Sequence, residues 1–293
     1  MIGIDPLNDI DRFDTYPNGR SVILCHSEKA IEKSQTNKRK ERYLKMLTGK
    51  NIILTGAAGS IGSVTARTLA GYHANLMLCD LNEKRLIPLC EEIRSMGVKC
   101  EYFAADVTDY AAMQKMAELT HEKIGSVDVM INNAGGSAGL INKISSFADA
   151  EMDTIHFVID LNIYGTMNCT KAVLPYMIEQ KSGKIINFSS IAGVCGLQTR
   201  VDYSAAKGAM ISFTKALAIE VGKYNITVNC IAPGAIPHDS NTIMEHSTCL
   251  GENGHSGKPI DVAELVAFMS SSKADYITGD NILVDGGRTL GPR

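Results

Sequence analysis

The chain has 293 residues, 45% hydrophobic and 21% charged, the proportions of a folded, water-soluble protein with one large α/β domain or two small ones. A net charge of −3 gives no whole-chain argument for nucleic acid or an anionic membrane, and no apolar run reaches the roughly 18 residues of a membrane span. Eight cysteines without a CxxC, several inside apolar runs, give no disulfide framework and no clustered ligands for zinc, so no metal is expected, and they read as buried thiols of a reducing, cytoplasmic compartment.

Residues 1–49 differ from the rest and read as an N-terminal extension, an arm or a short helix. The opening Met1-Ile2-Gly3-Ile4-Asp5-Pro6 lacks the basic start and apolar core of a secretory signal. Glu28 to Lys50 carries eight Lys/Arg against three Glu, but without interleaved aromatics it reads as a solvated face rather than a nucleic-acid patch.

Residues 50–293 read as one domain. Apolar runs of strand length fall at Asn51–Thr55, Asn75–Cys79, Glu101–Ala105, Val127–Asn132, Lys184–Phe188, Thr227–Ala232 and Asn281–Val284. Their near-continuous apolarity suits strands covered on both faces. Helical stretches lie between them near 61–72, 83–97, 109–124, 152–181, 203–222 and 261–271. This alternation predicts a doubly wound, Rossmann-type domain with a parallel, seven-stranded sheet and a ligand site at the carboxyl ends of the strands.

The first strand runs into Thr55-Gly56-Ala57-Ala58-Gly59-Ser60-Ile61-Gly62 and then a helix. Glycines let the backbone approach a pyrophosphate, and a helix start offers free N–H groups and the positive end of a dipole. Gly56, Gly59, Ser60, Ile61 and Gly62 are therefore candidate cofactor-binding residues. The second strand ends at Asp80, followed by Leu81. A carboxylate there accepts from both ribose hydroxyls and repels a 2′-phosphate, which favours NAD over NADP. A helix cap or turn role for Asp80 is compatible with that.

Tyr203 and Lys207 are four residues apart, on one face of a helix, with Ser190 13 residues before Tyr203. The reference pKa of a phenol is about 10. An ammonium at ~4 Å, with an effective dielectric of ~20, favours the phenolate by ~4 kcal/mol, an upper bound of roughly 3 pKa units. That would bring Tyr203 into the range of general acid/base catalysis.

With Asp106-Val107, Asn132-Asn133-Ala134-Gly135, Asn162, Pro233-Gly234 and Val284-Asp285-Gly286-Gly287 added in order, the chain resembles the short-chain dehydrogenase/reductase family over about residues 48–288. The resemblance implies catalytic roles for Asn162, Ser190, Tyr203 and Lys207. Tyr203 would give or take the proton, and Lys207 would lower its pKa and hold the nicotinamide ribose. Ser190 would bond the substrate oxygen, and Asn162 would hold a water of a proton relay. Asp106 and Val107 would border the adenine. Asn133, Ala134 and Gly135 would line the groove. Pro233, Gly234 and Ile236 would meet the nicotinamide.

The implied activity is NAD(H)-dependent interconversion of a secondary alcohol and a ketone, in a homodimer or homotetramer that packs the helices at 152–181 and 203–222 against their mates. No nucleic acid or membrane partner is implied. Gly59 stands where the longer epimerase and dehydratase branch has its second glycine, so NAD-using epimerisation or dehydration is the alternative, and a non-catalytic cofactor sensor is a third. His238 replaces a usual Thr. Residues 235–258, with His238, His246 and His255, read as a substrate lid with flexible points at Gly251, Gly254 and Gly257.

Overall fold

The computed structural model describes residues 14–15, 21–22, 45–237, 248–250 and 256–291. The chain divides into two compact units, residues 1–46 and 47–293. In the first, Asp14–Thr15 pairs antiparallel with Ser21–Val22. Most of the basic stretch from 28 to 50 lies outside the described residues, as do His238, His246 and His255 of the expected lid.

The second unit is built on seven strands: β1 (Asn51–Thr55), β2 (Asn75–Asp80), β3 (Cys100–Ala104), β4 (Val129–Asn132), β5 (Gly183–Phe188), β6 (Ile226–Pro233) and β7 (Asn281–Val284). All pair in parallel, in the order β3-β2-β1-β4-β5-β6-β7. Each expected strand is present within two residues of its expected ends. Every residue of β1, β4 and β5 is buried, because helices cover both faces. That is why these strands read as solid apolar runs rather than alternating ones.

The helices are α1 (Ser60–Gly71), α2 (Glu83–Ser95), α3 (Tyr110–Lys123), α4 (Met152–Ile159), α5 (Gly165–Gln180), α6 (Val201–Val221) and α7 (Pro259–Ser270). On one face α3, α5 and α6 bury Met113, Met116, Cys169, Val173, Met177, Leu217 and Val221 against the sheet. On the other, α1 packs on α7. Side chains start several helices: Asn82 accepts from the Arg85 N–H at 3.2 Å, and Asp109 from the Ala112 N–H at 3.1 Å. The chain reverses its direction of winding between β1 and β4, which opens a crevice at their carboxyl ends.

The expected helical stretch 152–181 is present and carries one irregularity. The stretch 152–181 is not one regular helix. Five residues, Asp160–Tyr164, form a π-turn between α4 and α5. At its centre the buried Asn162 amide donates to the Val158 carbonyl at 2.7 Å, so a side chain occupies an acceptor of the helical ladder.

Candidate active site

The glycine loop joins β1 to α1 at the crevice. Gly56 sits at φ +63°, a conformation that a side chain makes costly, and a Cβ there would lie 2.9 Å from the Ala134 Cα. A Cβ on Gly62 would collide with the Gly56 carbonyl oxygen. The loop closes through the Gly59 N–H to the Gly56 carbonyl at 3.1 Å. Gly59 caps α1 without a side-chain bond, and the first turn, with Ser60 and Ile61, carries no acidic residue. The helix start thus presents backbone N–H groups and positive dipole, with no acidic residue in its own first turn.

Asp80 ends β2, and both of its oxygens are engaged: Oδ2 accepts from the Ala58 N–H at 3.0 Å and Oδ1 from the Asn82 N–H at 2.9 Å. It ties the glycine loop and shapes the turn, while the cap of α2 is Asn82. Each oxygen keeps a second acceptor direction. Leu81 is exposed beside it, at 68%. Asp106 accepts from the Thr108 N–H at 2.8 Å, and Val107 is buried against Gly165, where a Cβ would lie 2.6 Å from its Cγ2.

The Asn132-Asn133-Ala134-Gly135 motif does two jobs. Asn132 donates to Thr170 Oγ1 and Asn187 Oδ1, both at 2.9 Å, tying β4 to β5 and α5. Asn133 donates to the Thr55 and Gly56 carbonyls, both at 3.0 Å, and the Ala134 N–H donates to Thr55 Oγ1 at 3.1 Å. Gly135 faces the catalytic cluster: the space a Cβ would fill is bounded by Asn162 Oδ1 at 2.6 Å and Lys207 Nζ at 3.0 Å.

β5, β6 and α6 bring Ser190, Tyr203 and Lys207 together. Ser190 follows β5, and its Oγ accepts from the Ala192 N–H at 3.2 Å. A hydrogen-bonding interaction with that hydroxyl lowers the pKa of the Tyr203 phenol, and the Arg200 charge lowers it further. Burial of the hydroxyl outweighs both and holds the phenol above its ordinary value.

The expected depression by Lys207 is not seen in this geometry. Lys207 Nζ lies 5.7 Å from the centroid of the Tyr203 ring and donates to the Phe188 carbonyl at 2.8 Å. Lys207 as a residue is 3% exposed, and burial pushes its pKa down to about 8. Lys207 is thus a cation held in a place that disfavours its charge, anchored by one backbone oxygen.

Asn162 is fully buried. Its amide donates to the Gly136 carbonyl at 2.8 Å as well as to Val158, and its Oδ1 accepts from the Gly136 N–H at 3.1 Å. Both N–H groups of the expected water-holding amide are therefore committed to protein carbonyls, and only Oδ1 keeps acceptor capacity. On the far side of the crevice the Pro233 carbonyl accepts from the Ile191 N–H at 3.1 Å. A Cβ on Gly234 would lie 2.7 Å from the Asp285 Cα, and one on Gly257 would lie 2.6 Å from Ile236 Cδ1.

Three groups have roles that sequence reasoning did not assign. The Phe188 carbonyl anchors Lys207. Ser189, next to the catalytic candidate, donates to the Lys207 carbonyl at 2.8 Å and so braces α6. Asp285 accepts from the N–H groups of Gly287 and Thr289, both at 2.9 Å, and fixes the turn after β7 against Gly234. Only the Val284–Gly287 motif hinted at the last.

The short chain dehydrogenase family model matches residues 50–247. The oxidoreductase UcpA of Escherichia coli K12 is 35% identical over 258 residues, 83% of this chain and 96% of that protein. The 3-oxoacyl-[acyl-carrier-protein] reductase FabG of Thermotoga maritima is 33% identical over 249 residues, covering 83% and 99%. Among solved structures, a 3-oxoacyl-[acyl-carrier protein] reductase with bound NAD from Brucella melitensis superposes with a TM-score of 0.76 at 32% identity, over 85% of this chain and 94% of that one. An NAD+-bound xylitol dehydrogenase gives 0.74 at 27% identity, over 83% and 100%. The chain is an oxidoreductase of the short-chain dehydrogenase/reductase family.

Proposed function

We propose that this protein interconverts a secondary alcohol and a ketone with NAD(H), using Tyr203 as the general acid/base. The observation that carries the reading is the cluster itself: the Tyr203 phenol interacts with the Ser190 hydroxyl and shares α6 with a buried Lys207 whose pKa is near 8. A buried cation beside a tyrosine and a serine is costly as structure and useful as proton chemistry. The nicotinamide would supply the hydride acceptor or donor at its C4.

The chain's own residues divide the remaining work. Ser190 Oγ would donate to the substrate oxygen and stabilise charge growing there. Tyr203 Oη would pass a proton to or from that oxygen. Lys207 Nζ and Asn162 Oδ1, which both border the space a Gly135 side chain would fill, would carry the proton onward. Gly56, Gly59, Ser60, Ile61 and Gly62 would cradle the pyrophosphate. Asp80 and Leu81 would border the adenosine ribose, Asp106 and Val107 the adenine, and Asn133, Ala134 and Gly135 the groove between. Pro233, Gly234 and Ile236 would meet the nicotinamide. The carboxylate of Asp80 and the NAD named for two structural relatives both support NAD over NADP.

We further infer a homodimer or homotetramer. Met152 and Tyr164 at the start of the α4–α5 stretch and Ile219 on α6 are exposed at 60%, 56% and 85%, as expected of faces covered by a second copy. No helix among the described residues is long and apolar enough to cross a membrane, and five of the seven described cysteines are buried free thiols, which supports a cytoplasmic setting.

Turnover of an alcohol and ketone panel, read by NADH absorbance, tests the activity. Tyr203→Phe should lower kcat by at least 1,000-fold, because the phenyl ring has no proton to transfer, while NADH binding stays within about threefold. Near-normal turnover in that variant would remove Tyr203 from the mechanism. A substrate-dependent reaction with no net absorbance change would favour epimerisation or dehydration instead.

A further inference from the structure

We propose that Asn168 is a cofactor-positioning residue: its side-chain amide holds the Val107–Thr108 backbone in the shape that receives the adenine. It thereby sets affinity for the adenosine half of NAD(H) and leaves the chemical step alone. The inference rests on the NAD(H) reading and on the place given there to Asp106 and Val107.

The connection from β3 to α3 runs past the end of β2. The Ala105 N–H donates to the Asp80 carbonyl at 3.2 Å, and Asp80 Oδ2 takes the Ala58 N–H of the glycine loop at 3.0 Å. The connection therefore stands beside the carboxylate and the loop assigned to the ribose and the pyrophosphate. Within it, the Asp106 carbonyl accepts from the Asp109 N–H at 3.1 Å, and Asp106 Oδ1 from the Thr108 N–H at 2.8 Å. The next two carbonyls are taken by α5. Asn168 Nδ2 donates to the Val107 carbonyl at 3.1 Å and to the Thr108 carbonyl at 2.9 Å. An amide nitrogen carries two N–H groups, so one side chain fixes two successive peptide planes of the turn.

Asn168 belongs to a stripe. Gly165, Asn168 and Lys171 are spaced by three along α5 and share one face. They meet the connection in its own order. A Cβ on Gly165 would lie 2.6 Å from Val107 Cγ2, Asn168 holds the carbonyls of 107 and 108, and Lys171 Nζ lies 5.4 Å from the centroid of the Tyr110 ring. The π-turn at Asp160–Tyr164 aims this stripe. One residue added to a helix rotates everything after it by about 100°. The distortion that brings Asn162 to Gly136 thus also sets which side of α5 faces the turn. Asn168 is half-buried and Asp106 is exposed, so the amide supports the turn and Asp106 stays open to a ligand.

Binding of NADH, AMP and reduced nicotinamide mononucleotide to the full chain, followed by ligand-detected NMR, tests this. Asn168→Asp keeps the shape but sets a carboxylate, with no N–H to give, against two carbonyls. NADH and AMP should each bind about tenfold more weakly to it, the order expected when hydrogen bonds that shape a site are lost. Reduced nicotinamide mononucleotide, which has no adenine, should bind within about twofold of wild type. Asn168→Ala should show the same pattern with a smaller loss, and it carries the comparison if Asn168→Asp does not fold. Asn168→Gln, which keeps the amide, should restore part of the affinity. In turnover, KM for NADH should rise by the same factor with kcat within about twofold. Unchanged AMP binding in the folded variants would overturn the proposal. So would equal weakening of AMP and reduced nicotinamide mononucleotide, which would make Asn168 a general brace of the fold. A wild-type protein that binds reduced nicotinamide mononucleotide but not AMP would remove the adenine assignment and the proposal together. One that binds AMP while the variants bind it equally well would remove the proposal alone.

Discussion

Lys207 shows how a single side chain couples stability to chemistry. Burial brings its pKa from 10.5 to about 8. Below pH 8 both folded and unfolded chains carry the proton, and the full cost of burying the ammonium is present. Between pH 8 and 10.5 the folded chain has lost the proton and the unfolded chain still holds it, so stability from this group rises with pH. The shift corresponds to about 3 kcal/mol at roughly 1.4 kcal/mol per unit. Relative to Lys207→Met, the wild-type melting temperature should therefore gain several degrees between pH 7.5 and 10. Parallel melting curves for the two proteins across that range would show that the ammonium is solvated. Asp80 makes a separate, electrostatic prediction. Its carboxylate should favour NADH over NADPH, and Asp80→Asn should narrow that preference roughly tenfold, because a unit charge opposite a 2′-phosphate is worth about 1–2 kcal/mol near a surface. Equal affinities for the two cofactors in the wild type would remove the role. The tyrosine side of the site was legible in the sequence as spacing, but its electrostatics were not. Nothing in Tyr203-Ser204-Ala205-Ala206-Lys207 tells that Phe188, 19 residues upstream, takes Lys207 Nζ.

At the scale of elements, legibility followed locality. The strands announce themselves because each is buried on both faces and so apolar along its whole length. The glycine loop announces itself because its turn admits no Cβ at Gly56 or Gly62. The π-turn at Asp160–Tyr164 does not, because its cause is 26 residues away in sequence. The Gly136 backbone offers a donor and an acceptor, and Asn162 leaves helical pairing to satisfy both. The turn is thus a tie between the β4–α4 connection and the α4–α5 stretch, next to Gly135 and Lys207. Asn162→Ala would strand the Gly136 N–H and carbonyl in a half-buried place, where each unsatisfied group costs about 1–3 kcal/mol. Urea unfolding should report a loss of roughly 2–4 kcal/mol without a change in slope. A loss under about 1 kcal/mol would mean that those backbone groups find other partners.

For the whole molecule, the division between the two units is also a division between what relatives share and what this chain adds. UcpA and FabG are matched over 96% and 99% of their lengths by 83% of this chain, and the family match begins at residue 50. The unit from residue 47 onward contains all seven parallel strands and every candidate catalytic residue. We infer that the second unit folds and works without the first. The boundary must spare one residue: Leu47 is fully buried, and its N–H donates to the Tyr72 carbonyl at 3.1 Å, at the end of α1. A chain starting at Lys45 should therefore keep its melting temperature within about 3 °C and its turnover within about twofold. A chain starting at Lys50 loses the Leu47 side chain and its hydrogen bond, a cost of about 2–5 kcal/mol by analogy with buried leucine truncations. At about 2–4 °C per kcal/mol for a domain of this size, it should melt roughly 5–15 °C lower. Thermal unfolding of the two truncated chains beside the full protein decides the matter. If the chain from Lys45 folds but loses turnover, the first unit belongs to the working enzyme. If the two truncations melt alike, Leu47 is not the anchor of the boundary.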